Sequence, residues 1–204
     1  MKLAVFGATG PTGRQFVEQA LARGHELRAL VRPQSTAPPG VEAVVGDVLD
    51  ADAVASTISG TEAVACILGL PKGEGTVISD GTANIVKAMT AQQVNRLVAV
   101  TVHGLNDSKD DAGFFGKVIV AKLAKSRFED RARQEQVIFD SGLDWTVLRP
   151  ARLADGDATG SYDLSTKLKT GMSAKVRRAD VAAALLEIIE SGRFSREPVS
   201  IAGK

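Results

Sequence analysis

Short apolar segments alternate with longer amphipathic segments along most of the chain. The apolar segments have the length and composition of strands that are buried on both faces of a parallel sheet. We predict strands at Lys2–Phe6, Glu26–Val31, Val41–Val45, Ala63–Leu68, Arg96–Val102, Asp144–Leu148 and Pro198–Ile201.

Apolar residues between these strands recur at helical spacing, and they predict helices. Three such helices are predicted, and their apolar faces contain Phe16, Val17, Ala20 and Leu21 in the first; Ile78, Ile85 and Met89 in the second; and Val181, Leu185, Ile188 and Ile189 in the third. A short helix is also predicted at Ala53–Ile58. Strands that alternate with helices of this length require right-handed crossovers and therefore a parallel sheet. We predict an α/β, Rossmann-like, doubly wound fold with helices on both faces, in one domain over residues 1–204.

A glycine-rich stretch, GATGPTG, follows the first predicted strand directly. Between a strand and a helix, such glycines allow a tight turn, a close approach of phosphate to the backbone, and close packing of the helix on the strand. We assign these roles to Gly7, Gly10 and Gly13 in that order. The other loop residues predicted to bind the cofactor are Thr9, Pro11 and Thr12. The alternative is a purely structural turn.

The end of the second strand indicates which dinucleotide binds. Sites that prefer NAD place an acidic residue there, which holds the ribose 2′-hydroxyl. This chain has Arg32 instead. Its planar guanidinium suits the 2′-phosphate of NADP, so NADPH is the predicted cofactor. The alternative is a solvated arginine at a strand end.

Residues after the other strands complete the predicted site, because open α/β sheets bind ligands at the carboxyl ends of their strands. The additional cofactor-binding residues are Asp47, Val48, Leu68, Gly69, Thr101 and Pro150. The predicted substrate-binding residues are His103, Phe114, Pro150 and Arg152. Phe114 would stack on a planar ring, with ordinary packing as the alternative. We assign no catalytic residue and expect no metal.

The catalytic pair common to alcohol dehydrogenases of this fold is missing from the chain. Tyr162 is the only tyrosine, and Thr166 stands four positions later, where that pair has a lysine. Alcohol oxidation, epimerisation and dehydration by that route are therefore disfavoured. His25 is predicted to be a solvated turn residue. His103 is a candidate for a substrate contact and a weaker candidate for a proton donor.

Composition narrows the classes of partner and compartment. The 25 basic and 24 acidic residues give a net charge of +1, so neither nucleic acid nor a membrane surface is expected as a partner. The only cysteine, Cys66, lies in an apolar segment, which predicts a buried thiol in a reducing compartment. The sequence has no signal-peptide pattern and no apolar stretch of about 20 residues, so we expect a cytoplasmic protein. The charged stretch Lys122–Glu135 is expected to be a solvated helix face or else an oligomer contact.

Several motifs occur together in this chain. They are Val5–Gly13, Leu30–Arg32, Val44–Leu49, Leu68–Gly69, Asn84–Met89, Ser141–Leu143, Thr159–Tyr162 and Val176–Ala182. In this combination the chain resembles the atypical short-chain dehydrogenase/reductase group of NAD(P)H-binding proteins, and within it the biliverdin-IXβ and flavin reductases. In the last motif, Asp180 would cap a helix.

The resemblance implies hydride transfer from NADPH to a flavin or a linear tetrapyrrole, with no obligatory side-chain acid. The substrate would be a small, planar, conjugated molecule, and a flavin would be a substrate rather than a bound cofactor. Two alternatives stay open. One is a non-catalytic redox sensor that binds the dinucleotide and then an unidentified protein partner, and the other is an NADPH-dependent quinone or carbonyl reductase.

Overall fold

The computed structural model describes residues 1–69, 75–103, 125–168 and 174–204. Ten strands lie within these ranges. They are β1 (Lys2–Phe6), β2 (Glu26–Val31), β3 (Glu42–Val45), β4 (Ala63–Cys66), β5 (Arg96–Val100), β6 (Asp144–Pro150), β7 (Arg152–Ala154), β8 (Tyr162–Ser165), β9 (Lys175–Arg177) and β10 (Glu197–Gly203).

Eight of these strands form one twisted sheet in the order β3-β2-β1-β4-β5-β6-β10-β8. All neighbours run parallel except β8, which pairs antiparallel with β10 at the edge. Strands β7 and β9 form a separate parallel pair. The strand order reverses between β1 and β4, and such a reversal is where doubly wound sheets bind their ligands. The predicted fold is confirmed.

Helices cover both faces of the sheet. They are α1 (Pro11–Ala22), α2 (Ala51–Ile58), α3 (Val77–Ala91), α4 (Lys125–Phe139) and α5 (Arg178–Ser191). Leu3 and Val5 of β1 belong to one apolar core with α1 and α5, whereas Ala4 and Phe6 belong to the other core with α2, α3 and α4. This alternation follows from the two-residue period of a strand, and it explains why β1 is apolar at nearly every position. No helix in the described ranges is long and apolar enough to cross a bilayer.

The prediction for the charged stretch Lys122–Glu135 is wrong where this stretch forms helix α4. The sequence pattern favoured a solvated face, but Asp130, Arg131, Gln134 and Glu135 are all buried. The four residues stand at spacings of one, three and four, so they share one side of the helix. That side faces the sheet and helix α3, where each polar group finds a hydrogen-bond partner.

His25 and Asp180 also differ from expectation. His25 is buried, and its Nε2 lies 2.8 Å from Oε1 of Glu190 on α5. Asp180 is buried in the first turn of α5, where its carboxylate accepts hydrogen bonds from the backbone of Thr159 and Gly160 instead of capping the helix. Its role is therefore to tie a loop to the helix. Cys66 is buried as predicted, and burial raises the pKa of its thiol.

Candidate dinucleotide-binding site

The loop between β1 and α1 lies at the point where the strand order reverses, and two of its glycines are required by the fold itself. Gly7 has a φ of +93°, and a Cβ there would overlap the carbonyl oxygen of Ile67, which follows β4. A Cβ at Gly13 would overlap the carbonyl oxygen of Gly7. Gly7 therefore makes the tight turn, and Gly13 lets α1 pack directly against the end of β1.

Gly10 differs from its two neighbours in the motif. Its φ of −73° and ψ of 164° suit any residue, and a Cβ would meet only the Gly7 carbonyl oxygen, at 3.4 Å. The local protein structure therefore gives no strong reason for a glycine here. A ligand that must approach the backbone gives one, because a side chain at this position would occupy the space in front of the helix.

The first turn of α1 can receive a phosphate group. Gly10 is the N-cap residue and offers no side-chain acceptor to the helix, and Pro11 occupies the first helical position. The N–H groups that open an α-helix have no partner inside the helix, and the helix dipole makes this end positive. A pyrophosphate fits these donors, so the residues present suit a dinucleotide. Thr9 is half-buried and Thr12 is buried at the same turn.

Arg32 follows β2 on the same edge of the sheet. Its side chain is exposed and makes no hydrogen bond or ion pair with any residue in the described ranges. Arg28, four residues earlier on β2, is instead fixed by Glu42 through a 2.8 Å hydrogen bond. The Arg32 guanidinium is thus available to an anionic group of a ligand, and its assignment to the 2′-phosphate stays a prediction.

The residues after β3 and β4 shape the neighbouring wall. Asp47 Oδ1 accepts a hydrogen bond from the backbone N–H of Leu49 at 3.0 Å, which fixes the turn after β3. Val48 is buried, and a Cβ on Gly81 of α3 would collide with its side chain. Gly69 is exposed, and nothing in the described structure lies within 4 Å of where its Cβ would stand. Gly69 therefore leaves open space beside the turn at the end of β4.

The carboxyl ends of β5 and β6 lie side by side, but the side chains there differ in orientation. The backbone N–H of His103 donates to the carbonyl oxygen of Pro150 at 3.1 Å, and its Nδ1 lies 2.9 Å from Oγ of Ser200. Arg152 is exposed two residues after Pro150. Thr101 is buried, and its hydroxyl donates to Glu135 at 2.8 Å. Phe114 lies outside the described residues.

Helix α4 supplies a buried polar network below this edge that sequence reasoning missed. The guanidinium of Arg131 donates to the carbonyl oxygens of Leu68 and Val100, at the ends of β4 and β5. Glu135 accepts two hydrogen bonds from the guanidinium of Arg149 on β6, at 2.9 and 2.8 Å. The network links the carboxyl ends of three neighbouring strands. Polar residues lie on every side of α4, so helical periodicity alone does not indicate which of them are buried.

Tyr162 lies elsewhere in the molecule, on the edge strand β8. Burial and the nearby charge of Glu187 on α5 raise the pKa of its phenol. It packs against the core formed with α1 and α5. Tyr162 is thus held between β8, α1 and α5.

Comparisons with known proteins agree with this geometry. The chain matches the model of a family described as NAD(P)H-binding over residues 7–192. An uncharacterized chloroplastic protein of Arabidopsis thaliana is 33% identical over 182 residues, a match that covers 78% of this chain and 62% of the relative. The chain thus spans less than two thirds of that relative's length.

Two solved structures share the fold. ChuY, an anaerobilin reductase from Escherichia coli O157:H7, has a TM-score of 0.80 at 24% identity, covering 98% of this chain and 96% of ChuY. A short-chain dehydrogenase/reductase from Veillonella parvula in complex with NADP has a TM-score of 0.85 at 20% identity, covering 100% and 94%. At these identities the likeness establishes the fold alone. From the match over residues 7–192, together with the glycine loop at the strand-order reversal, the chain belongs to the NAD(P)H-binding family.

Proposed function

We propose that this protein is an NADPH-dependent reductase that transfers hydride to a flavin or a bilin-like conjugated acceptor. One observation carries the proposal. The edge of the sheet that bears the glycine loop and Arg32 also bears His103 and Pro150, with Arg152 two residues further along the chain, whereas Tyr162 lies on the edge strand β8. The arrangement suits a reaction that needs two bound molecules and no tyrosine acid.

The residues present would have separate tasks. Bound NADPH would supply the hydride. Gly10 and the first turn of α1 would hold the pyrophosphate, and Arg32 would hold the 2′-phosphate. Thr101 and Pro150 would shape the floor below the reacting ring, with the α4 network keeping the strand ends in place.

An oxidised flavin or a conjugated bilin is itself a good hydride acceptor, so positioning is the main requirement. When the protein holds both reactants in reacting geometry, the entropy of bringing them together is lost on binding and not in the chemical step. The activation barrier of hydride transfer is therefore substantially lower. Water can deliver the proton that completes the reduction. The anaerobilin reductase activity in the name of ChuY, which shares the fold, supports the bilin class as an acceptor to test. The buried thiol of Cys66 is compatible with the reducing, cytoplasmic compartment that we propose.

Steady-state oxidation of NADPH by the purified protein, with free flavin as acceptor, tests this proposal. We expect a steady loss of nicotinamide absorbance that requires both the protein and the flavin. Tight binding of oxidised and reduced cofactor without turnover on flavins, bilins or quinones would instead indicate a redox sensor.

Arg32→Ala should weaken NADPH binding by about 1.5–3 kcal/mol, the range of a charge-assisted hydrogen bond. NADH affinity should change little, because NADH has no 2′-phosphate. Isothermal titration with both cofactors measures the two effects in one variant. Equal losses for NADPH and NADH would mean that Arg32 supports the fold rather than the phosphate.

His103→Ala should lower kcat/KM by only about tenfold, or about 1.4 kcal/mol. The ring contributes orientation at the site mouth, while water supplies the proton. The rate should show no steep break between about pH 6 and pH 7, where histidine usually titrates. A loss of about a thousandfold with a sharp break in that range would reveal a dedicated general acid and favour a carbonyl reductase.

A further inference from the structure

The small β7–β9 pair places two cations side by side. In its register Arg152 is opposite Lys175, Leu153 is opposite Val176, and Ala154 is opposite Arg177. Leu153 and Val176 pack on the core formed with α1 and α5. Because side chains alternate along a strand, Arg152 and Lys175 both point to the opposite, outer face. Both are exposed.

These two cations lie close together and lack carboxylate partners in the described structure. Neighbouring strands are about 4.8 Å apart, and like charges directly opposite each other are destabilising. Neither Arg152 nor Lys175 makes an ion pair with a described residue. The next two cations, Arg177 and Arg178, are both bound to Asp155, through its backbone oxygen and its carboxylate. Of these four cations in the described structure, Arg152 and Lys175 are the two that remain available to an anion from outside.

The position of the pair connects it to the acceptor. Arg152 comes two residues after Pro150, whose carbonyl oxygen accepts the backbone N–H of His103. The pair therefore lies beside the mouth of the site, on a chain segment distinct from the cofactor's glycine loop. An anionic group on the acceptor would lower the mutual repulsion of the cations and receive hydrogen bonds from a planar guanidinium and an ammonium group.

We propose that Arg152 and Lys175 form an anion subsite for the hydride acceptor. The acceptor is then a planar conjugated molecule that carries a phosphate or carboxylate group. This inference rests on the proposed function, and it adds Lys175 as a residue that determines specificity.

Two flavins that share one ring system test the subsite. FMN carries a phosphate and riboflavin does not, so quenching of flavin fluorescence in the presence of NADP⁺ gives both dissociation constants without turnover. We expect FMN to bind about tenfold more tightly than riboflavin, as one charge-assisted contact allows. Arg152→Ala and Lys175→Ala should each reduce this preference, and the double variant should remove it while riboflavin affinity changes less than about twofold.

A matched control removes one positive charge elsewhere. Lys87 is exposed on α3, and Lys87→Ala should leave the FMN preference unchanged. Raising the ionic strength to about 1 M, where the Debye length is about 3 Å, should abolish the preference in the unmodified protein. A linear tetrapyrrole with free carboxylates, compared with its dimethyl ester, provides the carboxylate version of the same experiment.

The outcomes separate this inference from the proposed function. Turnover with FMN and riboflavin, and with the tetrapyrrole and its ester, at equal affinity for the charged and the uncharged compound would overturn the anion subsite. The proposed reductase activity would stand. A preference that the double variant retains would overturn the assignment to Arg152 and Lys175. Failure of every acceptor to oxidise NADPH would instead remove the proposed function.

Discussion

Glu135→Gln is expected to destabilise the protein by about 3–5 kcal/mol, the usual cost of breaking a buried ion pair from one side. The side chains of Arg149 and Glu135 are only 3% and 0% exposed, and two hydrogen bonds join them. The substitution keeps the size of the side chain but removes its negative charge, so the buried Arg149 guanidinium loses its ion pair with Glu135. The glutamine side chain also places its amide N–H group against a hydrogen-bond donor, the Arg149 guanidinium. Urea denaturation followed by circular dichroism measures the change.

Glu187→Gln is the matched control for this prediction. Glu187 also pairs with an arginine, Arg193, at 3.0 Å, but both side chains are well exposed. Exposed pairs contribute less than about 1 kcal/mol, so this variant should unfold close to the wild-type midpoint. Equal midpoints for the two variants would show that the α4 network does not hold the strand ends together.

Gly10→Val is expected to weaken NADPH binding by about a hundredfold or more, or at least about 2.7 kcal/mol. The branched side chain would stand in front of the first turn of α1, where the pyrophosphate must reach the backbone. The fold itself tolerates the change, because the φ of −73° is ordinary and the nearest atom to a Cβ is 3.4 Å away. Isothermal titration and thermal melting of the apo protein measure the two quantities separately.

Gly13→Ala serves as the comparison, because it should change the stability of the apo protein. Its Cβ would overlap the Gly7 carbonyl oxygen, so this variant should lower the melting temperature of the apo protein markedly. Normal binding of NADPH by Gly10→Val would show that the glycine motif is only a turn.

The sequence predicts the sheet core well because buried parallel strands are continuously apolar. The first two strands have the predicted bounds, while β4 and β5 end two residues earlier and β6 two residues later than predicted. Strands β7, β8 and β9 were missed. They are three or four residues long and carry polar residues on an exposed face, so their composition does not distinguish them from loops.

The turn of the glycine loop was predictable because one local pattern determines it. The glycine loop needs only a strand, a turn and a helix, and these are adjacent in the chain. The buried roles of Arg131 and Glu135 depend on strands that are distant in sequence, so their charges indicated solvent. The same limit applies to His25, whose partner Glu190 lies 165 residues away.

NADPH that carries deuterium on one or the other face of the reactive nicotinamide carbon tests whether the protein transfers hydride directly to a bound acceptor. After a single turnover with a flavin or bilin acceptor, mass spectrometry of the NADP⁺ shows which hydrogen left. A site that holds both molecules in one geometry predicts complete loss of deuterium from one stereoisomer and complete retention in the other. Mixed loss from both stereoisomers, or no oxidation with any acceptor, would contradict the assignment of this protein as a reductase.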